Sequence, residues 1–242
     1  MTRVAALMLI VLGALTLGCA ASSTSRASEN TGALVFGGSG RTGAMIVERL
    51  RTQGEPVTVF VRPNSDRTRL QDQDVRYAVG DAMSPADVEA AVAAAKPRVI
   101  INAIGGRGSQ AGFWDRSQMA MTAAAKQHGV EIVIFLSSVG VGDSAGAYSK
   151  EALDRLRESL QERYRAEEDL KASGLRYVII RTGIIAPEGS AATGKARLTE
   201  DRTVLSPVTR ADLARLTVDC INDSGCHNKT FAAMDDTLKV SR

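Results

Sequence analysis

From Thr31 onward, short apolar runs alternate with stretches of helical period. The runs at 33–36 (ALVF), 57–61 (VTVFV), 75–79 (VRYAV), 99–103 (VIINA), 132–136 (IVIFL) and 177–180 (YVII) are mostly β-branched. Gly, Asp, Asn or Ser bound them. Continuous apolar strands of this kind suit a sheet covered on both faces. Between them, 42–53, 85–95, 116–128 and 151–173 place apolar residues on one helical face. Ser84-Pro85 is an N-cap followed by proline at the first helical position, and Gly129 and Gly174 stand where C-caps belong. The alternation predicts an α/β fold with a doubly wound parallel sheet. Residues 187–205 carry Gly, Ser and Thr without a period and read as a long loop or hairpin. Thr209-Arg210-Ala211-Asp212 opens a further helix, with threonine as cap and an acid in the first turn.

The first thirty residues stand apart from this pattern. After Arg3, residues 4–17 form an apolar stretch of 14 residues, short of the ~20 a bilayer span needs but suited to a signal h-region. Residues 1–19 therefore read as an export signal, 20–31 as a polar tether, and 32–242 as one domain. Thr16-Leu17-Gly18-Cys19 resembles a lipobox, with Thr16 where that motif prefers a large aliphatic residue. Three outcomes stay open: lipidation of Cys19 and membrane attachment, cleavage near Ala20-Ala21, or an uncleaved anchor. The expected place is the cell envelope, or the cytoplasm if the anchor faces inward or the start lies too early. Cys220 and Cys226 either close a local disulfide, as an oxidising compartment allows, or are two unrelated core residues. With His227 they do not complete a metal set, and no metal is expected.

Composition narrows the function. The 242 residues carry 30 Lys+Arg against 27 Asp+Glu, a net charge of +3, with no block of like charge. One Trp, four Tyr and five Phe give no stacking platform, so nucleic acid is not the expected partner; a small molecule is.

That small molecule is suggested by the turn after the first strand. Gly37-Gly38-Ser39-Gly40-Arg41-Thr42-Gly43 places glycines in a GxxGxxG spacing between a strand and a helix. Gly37 permits the tight turn, Gly40 the approach of a pyrophosphate, and Gly43 close packing, while the helix N-terminus offers free N–H groups. This context points to a dinucleotide. Nineteen residues beyond Gly43, Arg62 stands at the end of the second strand, where an NAD site would carry an acid. Arginine instead pairs with a 2′-phosphate, and Arg41 could reach it from the other side, so NADP(H) is the expected cofactor. Gly80, Asp81 and Ala82 are placed to cover the adenine, with Asp81 accepting from its amino group. Asn102, Ala103, Ile104, Gly105 and Gly106 bring small residues to the nicotinamide ribose. Phe113 and Trp114 are candidates for the same end of the pocket. His128 is read as a helix C-cap.

The Gly37–Gly43 turn, Val61-Arg62-Pro63, Gly80-Asp81, 136–140 (LSSVG) and 166–182 (AEEDLKASGLRYVIIRT) resemble the atypical short-chain dehydrogenase/reductases. Within them they are similar to the NmrA-like, NAD(P)H-binding group that includes the biliverdin reductase B/flavin reductase type. The resemblance implies one Rossmann domain with a small C-terminal substrate lobe, a last strand around 228–231, and roles for Ser137 and Ser138 after the fifth strand. Departures accompany it. Tyr148 is followed four residues on by Ala152 and Tyr164 by Glu168, so no Tyr-x-x-x-Lys pair exists to supply a proton. Arg163 replaces a lysine common in relatives, and Thr182-Gly183 stand where the flavin-reductase branch has a histidine. The expected function is NADPH-dependent hydride transfer to a flavin, quinone or similar planar acceptor. The alternative is an NAD(P)H-binding sensor or scaffold without turnover. An export signal on such a domain sends it where free NADPH is not expected, which leaves an inward-facing anchor, a different ligand or a misplaced start.

Overall fold

The computed structural model describes residues 30–105 and 110–239. The segment expected to be an export signal, Cys19 and Gly106 lie outside these residues. Two layers of helix enclose a central sheet built from β1 (Ala33–Phe36), β2 (Val57–Val61), β3 (Arg76–Val79), β4 (Val99–Asn102), β5 (Ile132–Ser138), β6 (Arg176–Thr182), β8 (Arg197–Thr199) and β10 (Lys229–Met234). A separate ribbon pairs β7 (Ile184–Ile185) with β9 (Pro207–Val208). The helices are α1 (Arg41–Thr52), α2 (Pro85–Ala95), α3 (Phe113–Gln127), α4 (Lys150–Ala172) and α5 (Arg210–Asp219).

Strand order is β3-β2-β1-β4-β5-β6-β10-β8, parallel throughout except for the antiparallel β10–β8 pair. β1 lies between β2 and β4, with Ala33 opposite both Val57 and Val99. The chain reverses its winding there, and in open α/β sheets such a switch point opens a crevice at the carboxyl ends of the strands.

Alternate residues of each strand feed two cores, as the pleat requires. Val35, Ile101, Ile134 and Ile180 pack with Ile46 and Leu50 of α1 and Leu213 of α5. Leu34, Ile100, Phe135 and Ile179 pack on the other face with Val88 of α2, Met121 of α3 and Leu170 of α4. Both faces of the central strands are therefore apolar, which explains their unbroken hydrophobic runs.

The sequence pattern misplaces two things. β3 is an edge strand with little cover: Val79 is 54% and Tyr77 37% exposed, so double-sided burial fails there. Residues 187–205 are neither a plain loop nor a hairpin of their own, because they contain β8, whose register with β10 pairs Leu198 with Ala233. Capping follows expectation closely. Ser84 Oγ accepts from Asp87 N at 3.3 Å and Thr209 Oγ1 from Asp212 N at 3.0 Å. Gly129 and Gly174 follow their helices with φ of 65° and 80°. A disulfide joins Cys220, at the end of α5, to Cys226, just before β10.

Candidate functional site

A cleft of about 830 Å³ opens over the carboxyl ends of β1, β2, β3 and β4. Its floor is the glycine turn. Gly37 has φ +77°, and a Cβ there would stand 2.6 Å from the Ala103 carbonyl oxygen, so only glycine fits. A Cβ on Gly43 would come within 2.0 Å of the Gly37 carbonyl oxygen, which ties the first turn of α1 tightly onto the loop. Gly37, Ser39 and Gly40 line the cleft.

The N-terminus of α1 is unlike that of every other described α-helix. It has no side-chain cap and no acid in its first turn. α2, α4 and α5 have both, and α3 has Asp115. For α3, Glu162 in addition accepts from the N–H groups of Gly112 and Trp114, at 2.6 and 3.0 Å. Orphan N–H groups and an uncompensated positive dipole at α1 therefore suit an anion.

Beyond β2 the chain turns sharply. Arg62 N donates to Ser65 Oγ and Ser65 N donates to the Arg62 carbonyl oxygen, both at 3.0 Å. Arg62, Pro63, Asn64 and Ser65 line the cleft, and Arg62 makes no ion pair among the described residues. Past β3, Asp81 N donates to Asp87 Oδ2 at 2.8 Å, while Asp81 Oδ1 accepts from Met83 N at 2.9 Å. Those bonds hold Asp81, Ala82 and Met83 as a wall of the cleft. Ile104 and Gly105 follow β4, and Gln110 and Phe113 complete the lining.

Of the residues expected to hold a cofactor, Gly37, Ser39, Gly40, Arg62, Asp81, Ala82, Ile104 and Gly105 share this cleft. The others need correction. Gly38 is buried, and a Cβ there would strike Val59 Cγ1 at 2.6 Å; it packs turn against sheet. Thr42 and Gly43 belong to the first turn of α1 and do not line the cleft, so what they offer a ligand is their backbone N–H groups. Asn102 is 1% exposed: its amide donates to Gln118 Oε1 at 2.8 Å and its Oδ1 accepts from Ile104 N at 3.1 Å. With the buried Ala103 it shapes the turn rather than facing a ligand. Arg41 points into a neighbouring pocket, paired with Glu188 at 3.3 Å.

The expected chemical residues also move. Ser137 is 3% exposed, and its hydroxyl donates to Glu167 Oε1 at 2.6 Å. The same carboxylate takes Arg181 through Nε at 3.1 Å and Nη2 at 2.6 Å, and Arg181 also pairs with Asp143. Ser137 is thus spent on a buried ion pair, because β5 turns it toward α4. Ser138 is half-buried and donates to the Val139 carbonyl at 2.9 Å. Trp114 is buried beneath the Arg163 guanidinium, 3.6 Å from its ring centroid, while Phe113 alone of that pair reaches the cleft. Burial pulls the Arg163 guanidinium down to about 10, against the charges of Glu167 and Glu162. Burial likewise raises the Tyr148 hydroxyl. His128 caps α3 and meets Glu89 at 2.8 Å.

Sequence reasoning missed Phe60, Pro63, Asn64, Ser65, Met83 and Gln110 as lining residues. The Pro-Asn-Ser turn after β2 was a readable signal. Gln110 had none, since its place depends on how the chain returns to α3.

This geometry fits a dinucleotide: a glycine cradle that a Cβ would fill, an uncapped helix end, and an arginine after β2 with no ion pair among the described residues. Solved structures share the fold. ChuY, an anaerobilin reductase from Escherichia coli O157:H7, superposes with a TM-score of 0.76 at 28% identity, covering 86% of this chain and 99% of its own. A short-chain dehydrogenase/reductase from Veillonella parvula in complex with NADP shares the fold, with TM-score 0.68, 17% identity, and 85% and 94% coverage. So does the oxidoreductase ylbE from Lactococcus lactis, at 0.68, 19%, and 84% and 90%. The NAD(P)H-binding family model matches residues 37–224, and the chain belongs to that family, among the atypical short-chain dehydrogenase/reductases.

Proposed function

We propose that the protein is an NADPH-dependent reductase that delivers hydride to a planar, conjugated acceptor. The observation that carries the cofactor preference is Arg62, free of any ion pair among the described residues and set at the mouth of the cleft beside Ser65. Its guanidinium and the Ser65 hydroxyl suit a 2′-phosphate through charge-assisted bonds. The Gly37–Gly43 turn and the N–H groups of α1 would hold the pyrophosphate, and the wall from Asp81 to Met83 the adenine. Ile104, Gly105 and Phe113 border the end where the nicotinamide belongs. When bound, reduced cofactor supplies the hydride. The protein contributes binding and orientation, and the single proton that accompanies the hydride comes from solvent, since no Tyr-x-x-x-Lys pair is present and Ser137 is committed to Glu167.

The same commitment of Ser137 favours the second reading, a nucleotide-binding sensor without turnover. Loss of 340 nm absorbance with a panel of flavins, quinones and the anaerobilin that gives ChuY its activity separates the two. Turnover with at least one conjugated acceptor is expected. Tight NADPH binding with no oxidation across the panel would establish the sensor instead. For location, a Cys220–Cys226 disulfide retained in the native protein would favour the cell envelope, with lipidation of Cys19 as one route of attachment.

A further inference from the structure

Arg41 is rooted one residue beyond Gly40, which lines the cleft, yet its guanidinium serves a separate pocket of about 230 Å³. There Glu188, on the segment after β7, takes Arg41 Nη1 with one carboxylate oxygen at 3.3 Å and Arg69 Nη2 with the other at 3.1 Å. Arg210, at the first position of α5, lines the same pocket and is anchored to the Ala186 carbonyl oxygen at 2.6 Å. Glu48 also borders it. The hydrogen bond from Arg69, and then that from Arg41, hold the Glu188 carboxyl below its ordinary value, so it is charged at neutral pH. Arg41, Arg69 and Glu188 are all about half exposed, with side-chain exposures of 55%, 44% and 55%. An exposed carboxylate bridging two arginines of different elements is a weak, exchangeable link.

We propose that Glu188 is a built-in competitor of the cofactor 2′-phosphate, holding Arg41 away from the cleft until a nucleotide bearing that phosphate draws it in. The inference rests on the NADPH reading above. A carboxylate offers one negative charge and two oxygens. A phosphate monoester offers close to two charges and three oxygens, and so wins a guanidinium from it. NADH has no such group and leaves the Glu188 pairs intact. Glu188 therefore sets how strongly the protein prefers NADPH, and it links that choice to the segment 187–190 of the C-terminal lobe. The start of that segment stays fixed, because Ala186 N donates to the Val208 carbonyl oxygen at 2.9 Å.

Titration of wild type, E188Q, E188Q/R41A and R62A with NADPH and NADH, by isothermal calorimetry, tests this. E188Q is expected to bind NADPH about 2- to 10-fold more tightly, with the NADH Kd unchanged. The double variant is expected to lose that gain. Hydrogen exchange at 187–190 is expected to rise with NADPH and not with NADH. An unchanged or lower NADPH-to-NADH ratio in E188Q overturns the proposal, as does a gain that survives removal of Arg41. The cofactor reading fails separately, if R62A leaves the NADPH preference undiminished or if wild type has none. Loss of preference in R62A with no effect of E188Q sinks the role of Glu188 alone.

Discussion

Ser137 and Glu167 show how a residue at a family-typical place can hold a different role. Glu167 is fully buried and Arg181 is 3% exposed, so neither charge survives alone in that setting. Arg181 engages Glu167 through two nitrogens and Asp143 through a third, and Ser137 donates to one of the Glu167 oxygens. Arg202 supports Asp143 from the far side at 3.2 Å. Removing the central carboxylate leaves a buried guanidinium largely uncompensated, which costs about 3 to 5 kcal/mol. Glu167→Ala should therefore lower chemical-denaturation stability by that amount. Ser137→Ala removes one hydrogen bond and should cost about 1 kcal/mol, with nucleotide Kd values unchanged. A loss of NADPH affinity in Ser137→Ala at intact stability would return that serine to the functional site.

The turn between β1 and α1 is the element where sequence and structure agree most closely, and the reason is local. Its glycines are demanded by contacts within a few residues: Gly43 against the Gly37 carbonyl, Gly40 N onto the same oxygen at 3.0 Å. Gly43→Ala drives a methyl into backbone and should cost about 2 kcal/mol or more in stability, with nucleotide affinity falling at least tenfold as the turn opens. Thermal melts with and without NADPH check it; full retention of cofactor-induced stabilisation would refute the cradle. Caps were legible for the same reason, since Ser84 and Thr209 act on residues three positions on. What could not be read depends on distant partners. Arg41 looked able to join Arg62 on the phosphate, but Glu188, 147 residues away, claims it. Asn102 looked ligand-facing, but Gln118 of α3 holds it inside. β8 sits in a stretch without period because three residues paired on one edge need no repeating pattern. The exposure of β3 follows from strand order, which no run of residues declares.

At the scale of the whole molecule, the expected export signal and the cofactor cleft pull in opposite directions, and the disulfide offers a way to decide between compartments. Cys220 and Cys226 are 2% and 7% exposed and sit six positions apart, closing the end of α5 onto the approach to β10. That approach matters because β10 carries β8 and pairs with β6, so the bond secures the last third of the sheet. Closing so short a loop in the unfolded chain is worth about 2 kcal/mol, which for a domain of this size corresponds to a melting-temperature loss of about 4 to 8 °C on reduction. Cys220→Ala/Cys226→Ala should show the same loss and become insensitive to reductant. In the native protein such a bond would record where the chain folded, since a glutathione-buffered cytoplasm keeps such thiols reduced. Native protein, quenched in acid and alkylated before and after reduction, should yield the 220–226 peptide labelled only after reduction if the domain is exported. Mass spectrometry of the mature N-terminus in the same sample would then show whether Cys19 is acylated. Labelling of both cysteines before reduction would place the domain in the cytoplasm with its NADPH supply, and the N-terminal segment would then be an inward-facing anchor or no signal at all.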